Sequence, residues 1–347
     1  MPITIDHFGS VTSNAKLKRS VLLSDNIPSQ VGTVLFGRVL ENKQIYNQIE
    51  DTTGAMHTIY SGDVIAGALG SRRALLGHSG VVPQKIKVGD HLHLLNLGGV
   101  IGLATSSSPE VGPATTIEVL GTTYEDGAAV NIKNGPVSPA HFLQKMPPII
   151  AFVGTCMHSG KTQATSTFIA GAVQKGFNVV GLKLTGVALQ RDVRRMKSSG
   201  ASHVYTFNDA GLPSTCGINP VNAAIGCLNQ AAKHNPDLIV VEFGDGLLGD
   251  YGVDKILKNS QVASAISVNV LAAPDPVAAW GGVQILSNWG LDTAVLTGQS
   301  TDNESGIDSI RQNTGALAIN ARNEPSMFVE EILNRIVSLS LPHRMQA

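Results

Sequence analysis

Residues 149–176, IIAFVGTCMHSGKTQATSTFIAGAVQKG, constrain the fold more than any other stretch of the chain. An apolar run ends at Gly154, a polar turn with a second glycine follows, and from Lys161 the chain reads as a helix closed by Gly176. A short, uninterrupted apolar run is the mark of a strand buried on both faces. A glycine just past the last periodic residue is a helix stop. The stretch is therefore a strand–turn–helix unit, and it sets the grammar of everything after it.

That grammar repeats. NVVGLKL reads as a strand, RDVRRMKSSG as a helix, HVYTF as a strand and NPVNAAIGCLNQAAKH as a helix. DLIVVEFG, AISVNVLAAP, TAVLTG and GALAIN follow as strands, with helices at GGVQILSNWG and PSMFVEEILNRIVSLS. Apolar strands flanked by helices predict an α/β domain with a mostly parallel sheet covered on both faces, over residues 149–347. Upstream, from Lys18 to Tyr124, the pattern is different: GTVLFGRVL, MHTIYSGDVIAGALG, KIKVGDHLHLLNL and TTIEVLGTTY are short β-branched runs broken by Gly, Asp and Asn. They predict a small, mostly antiparallel β domain, barrel or sandwich, over residues 1–132. The proline-rich KNGPVSPAHFLQKMPP, residues 133–148, reads as the linker.

A chain of 347 residues fits two domains, and 43% hydrophobic with 15% charged residues fits a soluble protein with a substantial core. With a net charge of −1 and no Lys/Arg run longer than a pair, nothing in the sequence asks for a nucleic-acid partner or an anionic membrane surface, and neither is expected. No apolar window is long enough to span a bilayer, and MPITIDHFGSVTS lacks the basic and apolar regions of a signal peptide. A cytoplasmic location is the expectation. Cys156, Cys216 and Cys227 lack metal or disulfide spacing and read as reduced thiols.

The turn carries the chemistry. Gly160-Lys161-Thr162 ends it as a phosphate loop ends, but Thr155, Cys156, Met157, His158 and Ser159 separate it from Gly154, one residue more than usual. Backbone N–H groups of such a turn converge on an anion, and the helix N-terminus adds positive potential. Lys161 would neutralise terminal phosphates and Thr162 would ligate Mg²⁺. C-terminal strand ends of a parallel sheet share one edge, so Lys183 and Thr185 in GLKLTG, Asp209 in FNDAG and Glu242 in LIVVEFGDG can meet this loop. Asp192, in LQRDV, is a further acid close by in sequence.

GTCMHSGKT resembles the Gly-Thr-x-x-x-x-Gly-Lys-Thr loop of dethiobiotin synthetase and related families in the SIMIBI class of P-loop proteins. The likeness extends over about residues 149–320 through the motifs just quoted. It implies that Gly154, Thr155, His158, Ser159, Gly160, Lys161, Thr162 and Gln163 bind the cofactor, Mg-ATP. It also implies catalytic roles for Lys161, Lys183, Thr185 and Glu242, a metal site of Thr162, Glu242 and one of Asp192 or Asp209, and a homodimer. The main functional expectation is then an ATP-dependent ligase- or kinase-like enzyme that activates the carboxylate of a small molecule by phosphoryl transfer.

Two departures open alternatives. VLTGQSTDN lacks the base-recognising Asn of the relatives. FNDAGLPSTCGINP resembles a segment of more distant P-loop families, one of which includes a D-amino-acid N-acetyltransferase. There the loop would hold the phosphates of acetyl-CoA. A third alternative is a nucleotide-driven switch or chaperone of the SIMIBI class, which would hydrolyse nucleotide slowly and act on a protein partner. In the β domain, Arg72, Arg73 and His78 of GSRRALLGHSG read as solvated loop charges, with an anion clamp as the alternative.

Overall fold

The computed structural model describes residues 2–340, so the end of the predicted α/β domain, 341–347, lies outside the described residues. The chain divides into two compact units. The first comprises residues 1–138 with two short returns, 186–191 and 207–218, and the second comprises 139–185, 192–206 and 219 onward.

The first unit is built on a ring of five strands, β1 (Val34–Val39), β2 (Val64–Leu69), β3 (His91–Leu94), β4 (Val100–Ser107) and β5 (Thr115–Gly121). Antiparallel pairings run β2–β1–β5–β3–β4, and a parallel pairing of Val100 with Ala68 and Ile101 with Leu69 closes the ring. The predicted β domain is thus a barrel, its closing seam parallel. Alternation along each strand sorts the core. Leu35, Val39, Ile65, Leu69, Ile101 and Ile117 belong to one buried cluster. Val34, Phe36, Ala66, Ala68 and Val100 belong to another, where Val11 of the short 3₁₀ helix Ser10–Ala15 joins Ala188 and Phe207 from the two returns.

The second unit is a six-stranded, all-parallel sheet with helices on it, as the sequence predicts. Its elements are β6 (Ile149–Gly154), α1 (Lys161–Gln174), β7 (Val179–Thr185), α2 (Gln190–Ser198), β8 (His203–Thr206), α3 (Val221–Ala232) and β9 (Leu238–Phe243). Then come α4 (Val253–Leu257), α5 (Ser260–Ala265), β10 (Ile266–Ala272), α6 (Pro276–Asn288), β11 (Val295–Thr297), α7 (Glu304–Thr314) and α8 (Pro325–Ser340). The strand order is β8–β7–β9–β6–β10–β11. Every residue of β6 and β9 is buried, the signature of central strands covered on both faces.

Helix starts follow local chemistry. Asn259, Asp275 and Asn303 accept backbone N–H bonds at the first turns of α5, α6 and α7, and Pro276 opens α6. Phe168, Ile169 and Ala172 of α1 and Phe328, Val329, Ile332 and Ile336 of α8 recur at helical spacing and fill one core with Phe152. GALAIN, predicted as a strand, forms only an isolated parallel bridge between Ala318 and Leu296. Its partner β11 is three residues long, too short to extend a ladder. Residues 139–148 adopt neither helix nor strand. They are laid along the second unit by Asn229 and Gln261, whose side-chain oxygens accept from Gln144 N and Leu143 N at 2.9 Å.

Candidate nucleotide site

The site grows from the end of β6. Gly154 is where a side chain cannot stand: a Cβ there would lie 2.4 Å from Ser159 Oγ and 2.8 Å from Lys161 Nζ. Gly160, the cap of α1, has φ of 104°, which glycine adopts without the strain a Cβ brings. His158, the exposed residue before Ser159, also takes the left-handed region, with φ of 60°. Two glycines allow the turn to curl back on the strand end. The intervening residues then form a loop around the lysine.

Lys161 sits inside that loop. Its Nζ donates to the Cys156 carbonyl at 2.6 Å and to Ser159 Oγ at 3.3 Å, and only 6% of the residue is exposed. Burial lowers its pKa to about 8, although Glu242 and Asp245 pull it back up. The lysine is therefore satisfied by the loop's own oxygens. Thr155 Oγ1, in the same loop, is buried with no hydrogen-bond partner among the described residues.

The adjacent strand supplies the acid. Phe152 of β6 is in register with Glu242 of β9, and Glu242 with Lys183 of β7. Thr162 Oγ1 donates to Glu242 Oε1 at 2.9 Å, and Lys183 Nζ reaches the same oxygen at 3.1 Å. Lys183 also pairs with Asp192 Oδ2 in the first turn of α2. Burial alone would lower the Lys183 pKa, but Asp192 and then Glu242 outweigh it and hold the ammonium above its ordinary range. Thr162, Glu242, Lys183 and Asp192 form one continuous relay from the loop to α2.

Glu242 Oε2 is the loose end. It is buried with no partner among the described residues, and a carboxylate oxygen in that position is costly unless something binds it. The donor set fits Mg²⁺, which takes one or two protein oxygens and fills its octahedron with water and phosphate. Among the described residues there is no group of three or more His, Cys, Asp or Glu that would cage a metal by itself.

The remaining predicted residues divide. Thr185 is fully buried and its hydroxyl donates to the Gly244 carbonyl at 2.9 Å, tying the ends of β7 and β9 together. Gln163 donates to Thr167 at 3.1 Å and accepts from Arg195 of α2. Asp192 stands beside Lys183, whereas Asp209 belongs to the first unit, where its carbonyl accepts from Val137 N at 3.0 Å.

Two glycines, Gly298 and Gly246, join the site without a mark in the loop motif itself. A Cβ at Gly298 would lie 2.3 Å from the Ser159 carbonyl, and one at Gly246 would lie 2.3 Å from the Thr155 carbonyl. Asp245, at φ of 69°, places its charge near Lys161, and burial raises its own pKa. A glycine at or just beyond the end of an apolar strand, in VLTG and in FGDG, is the available signal.

The strand that leads into the glycine-rich turn lies directly beside the strand that carries Glu242, in an all-parallel sheet, an arrangement with the strand–turn–helix order of a phosphate loop. No protein-family model matches the chain, and no curated protein matches it in sequence. Among solved structures it is similar to the signal recognition particle receptor FtsY of Elizabethkingia anophelis in complex with GDP. That match has 15% identity and a TM-score of 0.40, over 58% of this chain and 68% of that one. It is similar also to the signal recognition particle 54 kDa protein of Aeropyrum pernix K1 in complex with GDP, at 18% identity and a TM-score of 0.38, over 60% of this chain and 53% of that one. The FtsY of Thermotoga maritima matches at 18% identity and a TM-score of 0.37, over 58% of this chain and 73% of that one. Likenesses of this size assign no residue of this chain a role.

These are signal recognition particle proteins, the first two in complex with GDP, and a likeness to dethiobiotin synthetase is not among the matches shown. The expectation of an Mg-ATP-dependent ligase or kinase is corrected accordingly, and so is the acetyl-CoA acyltransferase alternative. The site gives a physical reason on the same side. Lys183, expected to stabilise a transferring phosphoryl group, is already neutralised by two carboxylates. No helix among the described residues is long and apolar enough to cross a membrane.

Proposed function

We propose that the second unit is a nucleotide-driven switch, binding the phosphates of a nucleoside di- or triphosphate with Mg²⁺ at residues 154–162. The observation that carries this reading is the relay Thr162–Glu242–Lys183–Asp192. Thr162 and Glu242 are the residues that would hold Mg²⁺, and the ion would supply charge neutralisation of the phosphates when bound. Glu242 also holds Lys183, and Lys183 pairs with Asp192 of α2. Ligand and helix thus compete for one carboxylate. A group with two such claimants gives the ligand a differential interaction with two arrangements of the helix, which is what a population shift requires.

Within the loop, Lys161 would exchange the Cys156 carbonyl and Ser159 hydroxyl for phosphate oxygens. Gly154, Gly160, Gly246 and Gly298 allow the close backbone packing that keeps the loop in shape for an anion.

The test is a calorimetric titration with GDP, GTP and ATP in parallel, with and without Mg²⁺, on the wild type and on Lys161→Ala. The expected result is Mg-dependent binding that Lys161→Ala abolishes. Hydrolysis without a protein partner is expected to be slow, on the order of 10⁻³ s⁻¹ or less, as in unassisted switch GTPases. Amide exchange in α2 is expected to quicken on binding. Absence of heat with all three nucleotides, from a folded sample, overturns the nucleotide assignment. Binding with unchanged exchange in α2 overturns the switch.

A further inference from the structure

The first unit concentrates cationic side chains around one turn of its barrel. Arg72 and His78 flank the turn over residues 73–77, and both are buried, His78 completely. Nη1 of Arg72 donates to the Leu95 carbonyl and, at 3.2 Å, to the Tyr46 hydroxyl. Its Nη2 lies against Gly77, where a Cβ would approach to 2.7 Å. Tyr46 meets the His78 ring edge-on with centroids 5.1 Å apart, and it takes φ of 58°, a conformation bulky residues rarely keep.

Two groups here are without counterparts. His78 Nδ1 is 2.9 Å from Ser107 Oγ, but its Nε2 is buried with no hydrogen-bond partner among the described residues. Arg72, though buried, has no carboxylate within ion-pair distance among the described residues. A buried guanidinium without a counter-charge is costly. The neighbours add to the imbalance. Burial first, then the charges of Lys43, Arg72 and His93, hold His78 down to about 4. Burial also lowers Lys43 and His93. The exposed Glu41 opposes both shifts, and His91 adds to that of His93.

We propose that Arg72, His78, Lys43 and Tyr46 form a binding site for the oxyanion group, carboxylate or phosphate, of a small molecule. The anion would accept from His78 Nε2–H and from the Nη2 of Arg72, with Ser107 and Tyr46 fixing the imidazole and the guanidinium. Lys43, partly exposed and donating to the Val111 carbonyl at 3.3 Å, would close the site from the solvent side. The guanidinium fork is matched to planar or tetrahedral oxyanions, which is why arginine recurs in such sites. This site is independent of the nucleotide assignment.

The test follows the His78 Cε1–H resonance of the full chain at pH 6 during titration with inorganic phosphate and, separately, with malonate. Anion binding favours the imidazolium, so the His78 pKa is expected to rise by at least about one unit at saturation, equivalent to about tenfold preference for the protonated site. The probe that binds more tightly distinguishes a phosphate ligand from a carboxylate one. Lys161→Ala retains the response. Arg72→Gln abolishes it, and Lys43→Met, a partly exposed position that spares the core, weakens it by at least about fivefold, close to the loss of one charge-assisted hydrogen bond. No movement of the His78 resonance up to concentrations on the order of 10 mM, where sites with Kd below about 1 mM are filled, overturns the proposal. A response lost in Lys161→Ala and kept in Lys43→Met also overturns it.

Discussion

Replacing Lys183 with methionine probes the relay at its centre. The methionine keeps the length and packing of the stem and removes only the ammonium. What remains is two carboxylates facing each other, Glu242 with 1% and Asp192 with 12% of the side chain exposed. Removing one partner from a buried ion pair costs about 3–5 kcal/mol, because the other charge is left uncompensated. Glu242 retains its bond from Thr162, so the lower end, about 3 kcal/mol, is expected here. For a unit of this size that is a fall in Tm of about 6–12 °C. Trp280 and Trp289, the only tryptophans in the chain, both lie in the second unit, so tryptophan fluorescence during a thermal or urea melt reports on that unit alone. In the wild type the raised Lys183 pKa contributes stability that is fully present below its ordinary value of 10.5. That stability is lost only as pH climbs through the still higher folded value, so it is flat across neutrality. In Lys183→Met the like charges are relieved by protonation, so the deficit shrinks between pH 8 and pH 5.5. The double variant Lys183→Met/Glu242→Gln recovers more than half of it. A single variant within about 1 kcal/mol of wild type at pH 7.5, a resolvable difference in such melts, would refute the reasoning. So would a deficit that grows on acidification.

Two further outcomes follow from the loop. Lys161 is held down to about 8, so between that value and its ordinary 10.5 the unfolded chain binds the extra proton and native stability rises with pH. Nucleotide affinity runs the other way, falling by up to about tenfold per pH unit above about 8, with proton uptake on binding visible as a buffer-dependent heat at pH 8.5. Thr162→Val removes the hydroxyl that donates to Glu242 and would face Mg²⁺. Its nucleotide affinity is expected to lose its dependence on Mg²⁺, with the EDTA value unchanged within about twofold, a difference of about 0.4 kcal/mol.

Much of this architecture was legible because it is local. The strand–turn–helix of residues 149–176 announces itself in consecutive residues, and buried strands such as LIVVEF need no partner to be recognised. Lys183 and Glu242 could be placed at one sheet edge from topology alone. Their coupling could not. That Lys183 is neutralised by Asp192 depends on how α2 leaves the sheet, a tertiary fact with no sequence period, and it bears directly on what the lysine can do. Gly246 and Gly298 carry no local signature, because their function is to leave room for carbonyls far away in sequence. The same holds in the first unit, where Arg72 and His78, which look solvated beside an exposed turn, are in fact buried. The barrel seam between Val100 and Ala68 likewise leaves no mark on either strand.

The six-stranded sheet ends on its two shortest strands, His203–Thr206 and Val295–Thr297, whereas each of the four between them has six or seven residues. An open sheet always leaves unpaired N–H and C=O groups along its rims, and long rims template association with other chains. Here each rim offers about one turn's length of ladder, too little to recruit a foreign strand. The barrel carries the same economy further, since its five principal strands are joined in a ring. The order and length of the strands, rather than surface charge, thus limit the free ladder that either unit offers a second chain while it stays folded.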